Sequence, residues 1–252
     1  MCQYVLESET RLSLTGKADI NLPIRAAVAR TPSMLDDFLV GNVVRIGICT
    51  LILLRRNDDA YLPLVYKRSA LTMAQSHLLD CISSCIFEVA THALADLELR
   101  HTVLREINEE LYGSEEVIYR SNRPDPAFFY KDPPIRDLVR LLSLEGASFV
   151  TTGFCLDLVR MVPEITCVLV VRDPKYLRDH ESKFNLGAEF QTSAGLSVPR
   201  RLVDVDEFVA SEVPRSPDDR PLVRGFDPLR WTLPSAFAFY HGLKRATALD
   251  LL

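Results

Sequence analysis

The chain is predicted to fold as an α/β or α+β sandwich, a sheet covered by helices on both faces. Three observations predict it: apolar β-rich runs lie before and after a helical segment, that helix is amphipathic and stops at a glycine, and a second helix closes the chain. The 252 residues, 48% hydrophobic, are enough to fill a sizeable core.

Residues 1 to about 40 read as a polar N-terminal extension, with a hairpin in "LSLTGKADINLPI" and a short helix after Pro32. The core domain is expected over 41–252. "GICTLILL", Gly47 to Leu54, sits between Arg45 and Arg55–Arg56; far too short for a membrane span, it reads as a buried strand. With "NDDAYLPLVYKRS" it forms a hairpin around Asn57-Asp58-Asp59. "HLLDCISSCIFEV", His77 to Val89, is rich in Ile, Cys and Phe and is read as strand. From Asp96 to Leu111 the pattern turns helical: Val103, Leu104, Ile107 and Leu111 share one face, and Gly113 supplies the stop.

Residues 114–146 read as an insertion, a Pro-rich loop "SNRPDPAFFYKDPP" and an amphipathic helix behind Pro134. "ASFVTTGFCLDLVRM" and "ITCVLVVRD" are two further strands, with Val162, Pro163 and Glu164 as their separator. A second Pro-rich loop, Pro214 to Pro228, leads into a final helix from Pro234 to about Ala248.

Composition excludes several function classes. The net charge of −5 and the scattered Arg and Lys leave no basic stripe for nucleic acid. Six cysteines, Cys2, Cys49, Cys81, Cys85, Cys155 and Cys167, without a signal peptide suit reduced thiols in cytoplasm better than a disulfide framework. No glycine lies between Gly47 and Gly113, so neither a GxGxxG turn nor a P-loop follows the first strand.

"LREINEELYG" places Glu106, Glu109 and Glu110 on neighbouring positions of the helix surface. With Val103 at zero, the apolar residues centre near roughly 55° and the glutamates span roughly 240° to 340°, a band beside the buried face. Each like-charged pair costs about 0.2–0.5 kcal/mol, and the nearby helix C-terminus adds to it. A hard divalent cation, Mg²⁺ or Mn²⁺, would compensate and would leave positions for water and substrate phosphates. The plainer alternative is a solvated helix face.

Arg105-Glu106-Ile107-Asn108-Glu109-Glu110-Leu111-Tyr112-Gly113 resembles the second half of the Nudix box, Arg-Glu-aliphatic-x-Glu-Glu-x-Gly. The resemblance implies a Nudix-like α/β/α sandwich with a mixed sheet, here with an N-terminal extension and insertions. It further implies hydrolysis of a nucleoside diphosphate derivative, with metal on Glu106, Glu109 and Glu110 and with Arg105 holding the helix and its carboxylates in place. Glu189, in "NLGAEF", corresponds to a loop position where Nudix enzymes often carry an additional metal-binding or base glutamate. The first half of the box departs from the pattern: its Gly and Glu positions hold Thr91 and Leu97, flanked by Asp96 and Glu98, and Ser114 replaces the aliphatic residue after Gly113. A catalytically weak or inactive module of the same fold, binding a nucleotide or sugar nucleotide or serving regulation, is therefore the alternative.

Arg45, Lys67 and Arg68 sit on the first hairpin, and Arg68 is the candidate for meeting substrate phosphates. His77, Cys81, Cys85 and His92 invite a zinc reading, but their spacing fits no common module and their apolar neighbours favour buried thiols. Partners are thus expected to be a small molecule, with neither nucleic acid nor membrane, and an exposed sheet edge could pair across a homodimer.

Overall fold

The computed structural model describes residues 46–68, 78–87, 97–114, 127–157, 162–184 and 231–252. The expected hairpin and helix of the N-terminal extension, and the 214–228 loop, lie outside them. In chain order the strands and α-helices are β1 (Ile46–Arg55), β2 (Tyr61–Pro63), β3 (Val65–Lys67), β4 (Leu79–Cys81), β5 (Ser84–Phe87), α1 (Leu99–Glu106), α2 (Pro133–Ser143), β6 (Ala147–Asp157), β7 (Val162–Val171), α3 (Pro174–His180) and α4 (Leu233–Ala248).

β1 runs through the middle of the larger sheet, whose order is β2-β1-β7-β6, with β5 also pairing with β1. It lies parallel to β7 and antiparallel to β2 and β5, and β6 lies antiparallel to β7, so the sheet is mixed. A strand covered on both faces needs an unbroken apolar run rather than alternation, which is what "GICTLILL" provides. Ile48, Ile52 and Leu54 enter one core and Cys49, Leu51 and Leu53 the other. β3 and β4 form a separate two-stranded sheet.

Helices pack on both sheet faces. The first core takes Val103, Leu104 and Ile107 from the α1 segment, Ile135 and Leu138 from α2, and Tyr176 and Leu177 from α3. The second takes Trp231 and, from α4, Ala238, Phe239, Leu243 and Ala246. Gly242 lets α4 lie close on β1, because a Cβ there would stand 2.9 Å from the Leu51 side chain. Burying each such Leu, Ile or Phe stabilises the fold by about 1.5–3 kcal/mol.

The hairpin turn forms where Asn-Asp-Asp stands: Asp59 takes a φ of 65°, and Arg55 donates to its carboxylate at 2.8 Å. Residues 127–146 pack Phe129, Ile135 and Leu138 into the first core with almost no exposure, so this part of the 114–146 segment is integral to that layer. One expectation is corrected. Val162, Pro163 and Glu164 do not separate the last two strands but open β7, with Pro163 opposite Leu156 and Glu164 opposite Cys155. A proline is tolerated there because it sits at the strand's beginning.

Candidate functional site

The glutamate helix is two kinds of helix in succession. α1 ends at Glu106, and Ile107–Leu111 continue it as a π turn. A π turn bonds each N–H one residue further back, widens the helix and is most often met at functional sites. Ile107 and Leu111 keep it anchored in the core at 1% and 2% exposure, and Asn108 Nδ2 donates to Asp132 Oδ2 at 2.9 Å. Gly113 stops it in the left-handed region, φ 63°, and the Ser114 N–H closes on the Asn108 carbonyl at 3.2 Å.

Arg105 is buried and donates to Glu106 Oε1 at 2.9 Å. Burial works against its charge, but the Glu106 and Glu109 carboxylates outweigh it and raise its pKa. Glu110 accepts the backbone N–H of Ser83, in the turn before β5. Burial pushes the Cys85 thiol on β5 well up, and the charges of Glu106 and Glu110 push it the same way. The acidic side of the helix therefore stands over the β5 end of the sheet. Beneath it, Ser83 adopts a φ of 69°, and the fully buried hydroxyls of Ser83 and Thr50 have no hydrogen-bond partner among the described residues. Buried oxygens without a partner are uncommon.

Carboxylate and hydroxyl oxygens are the donor types that Mg²⁺ or Mn²⁺ takes. Among the described residues no group of three His, Cys, Asp or Glu side chains stands ready to hold a metal; the carboxylates are engaged with Arg105 and the Ser83 amide instead.

The other candidates fall in different places. Arg68 NH1 bonds the Asp80 carboxylate of the two-stranded sheet. Glu189, Arg45, Asp96, His77 and His92 lie outside the described residues. Leu97 is 57% exposed, and Glu98, at the N-cap of α1, pairs with Arg100 at 2.8 Å. Cys81 faces the second core and Cys85 the first, so the zinc series is divided between the sheet's two faces. Among the described residues Cys49, Cys81, Cys85, Cys155 and Cys167 are free thiols, and no helix is long and apolar enough to cross a membrane.

Sequence reasoning passed over several features. Glu164, buried, lies against Gly47, where a Cβ would be 2.0 Å from its Oε2; the sequence signal is an acid inside an apolar strand. Asp80, also buried, accepts from Thr232 Oγ1 at 2.9 Å, Tyr66 OH at 3.4 Å, Ser235 and Arg68; its partners are 152 and 155 residues away for Thr232 and Ser235, beyond any local pattern. Behind the acidic helix, Tyr112 meets the Tyr176 hydroxyl at 2.8 Å, and buried His180 meets Asp137 at 3.1 Å and Lys183 at 3.3 Å. A cleft of about 810 Å³ opens at the start of α1, lined by Arg100, Phe149, Thr151 and Arg172 among others.

Searches against family models, curated proteins and solved structures found no match to this chain.

Proposed function

We propose that this protein is a metal-dependent, Nudix-like hydrolase that cleaves the diphosphate linkage of a nucleoside diphosphate derivative. The observation that carries the reading is the run of Glu106, Glu109 and Glu110 through a π turn, with buried Arg105 bonded to Glu106 and Glu110 on the Ser83 amide. Glu106, Glu109 and Glu110 would hold Mg²⁺ or Mn²⁺. When bound, such an ion lowers the pKa of water and shields charge developing on phosphate oxygens. Arg105 orients Glu106 and offsets the repulsion among the carboxylates. Glu189 remains the candidate for the base and Arg68 for a phosphate contact. Five reduced thiols support a cytoplasmic location, and β6, which among the described residues pairs only with β7, supplies an edge for a homodimer.

Incubation with Mn²⁺ and a panel of nucleoside diphosphate derivatives tests the reading. Release of nucleoside monophosphate, lost in Glu109→Gln and Glu110→Gln, is expected; equal turnover in those variants would refute it. A second reading, a binding module that holds the same ligand without cleaving it, is favoured by Leu97, exposed where the resemblance asks for a glutamate. Stoichiometric binding with the ligand recovered intact would select it.

A further inference from the structure

Consecutive residues of β6, Ala147 to Thr151, all line the cleft at the start of α1. Side chains of a strand alternate between its two faces, so a cavity touched by every one of them runs along the strand's edge. That edge is open. The Gly146 carbonyl accepts the Arg172 N–H at 2.9 Å, which makes theirs a hydrogen-bonded pair, and in an antiparallel ladder such pairs recur at every second residue. Ser148 and Val150 therefore bond β7. Ala147, Phe149 and Thr151 turn their N–H and C=O groups the other way, where among the described residues no strand meets them.

The two faces of this edge differ. On the α1 face the cleft walls are apolar: Leu99, Leu142 and Phe149, each partly buried against the first core. On the other face, where Ser148 stands opposite Val170 of the second core, the Arg172 guanidinium donates to Ser148 Oγ at 2.9 Å and to the Glu145 carbonyl. Both acceptors are neutral. They fix the cation without matching its charge; among the described residues no carboxylate pairs with it, and Glu98, which also lines the cleft, is taken by Arg100. Backbone groups free at alternate residues are what an added strand satisfies, and an extended chain presents apolar side chains to one face and polar ones to the other. We infer that the cleft binds an extended peptide segment of another protein as an additional strand on β6, with apolar side chains towards Leu99 and Phe149 and a carboxylate at Arg172. A second copy's β6 fits this stretch less well, because in a continued antiparallel sheet its own α1 and α2 would come to the same side and meet Leu99 and Leu142. Contact between copies then belongs to β6 beyond the bulge between Thr151 and Gly153.

Fluorescence anisotropy of a labelled pentapeptide with blocked ends, Glu-Val-Thr-Val-Glu, tests the strand addition. Its valines share one face and its acids the other, with an acid at each end so that both strand directions are covered. Saturable binding without metal is expected. Replacing both acids by Lys, or Arg172→Gln in the protein, should weaken it about tenfold or more, as for a lost hydrogen bond to a charged group, and Arg172→Lys should restore part of it. N-methylation of the central peptide amides, which keeps every side chain, should abolish binding to the unaltered protein. Thr151→Pro, which removes one outward N–H from an exposed edge residue, should weaken it too. Binding indifferent to N-methylation or to the Lys replacement, or no saturable binding by the wild type, would overturn the inference. So would a wild-type dimer, seen by sedimentation, that Thr151→Pro dissolves, for that would give the same edge to a second copy.

Discussion

On the α4 face of the sheet one buried carboxylate, Asp80, is surrounded by donors: two hydroxyls of the α4 N-terminus, Tyr66 and the Arg68 guanidinium. On the α1 face Glu106 and Glu109 act on one guanidinium and Glu110 takes one backbone amide, and the buried hydroxyls of Ser83 and Thr50 have no hydrogen-bond partner among the described residues. The first arrangement gives one carboxylate several donors and places it at a helix N-terminus, where the dipole favours an anion. The second places anions near a helix C-terminus, where the dipole opposes them.

The comparison can be broken most forcefully at Asp80. Asp80→Ala strands Arg68 and the hydroxyls of Thr232 and Ser235, and should cost about 3 kcal/mol, read in a urea titration with and without metal. A loss that Mn²⁺ repairs would place Asp80 among the metal ligands instead. Next in size is the metal itself: at 100 times its Kd, Mn²⁺ should stabilise the wild type by about 2.7 kcal/mol, an increment that EDTA and the triple Gln variant at 106, 109 and 110 both abolish. An increment surviving in the triple variant would move the metal elsewhere.

His180 offers a smaller, pH-dependent test of the scaffold behind the acidic helix. Burial, with Lys183 second, lowers its pKa below the ordinary 6.5, Asp137 opposing. The folded state then binds its proton less readily than the unfolded chain, so the contribution is complete above pH 6.5 and is lost as pH falls below it. Thermal melts at pH 7.5 and 5.5 should show a drop that is reduced in His180→Asn. The smallest effect has the opposite sign: in EDTA, Glu110→Gln should raise stability by about 0.2–0.5 kcal/mol for each like-charged pair relieved. A destabilisation would show that the Ser83 contact outweighs the repulsion.

Much of this fold was legible. The double-sided burial of β1 follows from an apolar run without alternation, the stop of the acidic helix from Gly113 and the closing helix from Pro234. Pro163 and Glu164 misled because both disfavour strands locally, whereas pairing with β6 along the whole of β7 decides the outcome. Within the site, the grouping of Glu106, Glu109 and Glu110 was visible from spacing. The π turn that holds two of them was not, since no local propensity distinguishes it from an α turn. Ser83 was equally hidden, because its contact with Glu110 depends on how the strands pair across the sheet rather than on neighbours in sequence.

The π turn has a consequence for length as well as for shape. It accommodates one residue more than an α turn, so the chain between Arg105 and Gly113 carries a spare unit of register. Removing one residue there could return the segment to α geometry without breaking the helix, and because the π turn had absorbed the extra residue, the chain beyond it would keep its direction relative to Arg105. The stop at Gly113 therefore tolerates such a deletion, whereas Glu109 and Glu110, inside the turn, would change their spacing from Arg105.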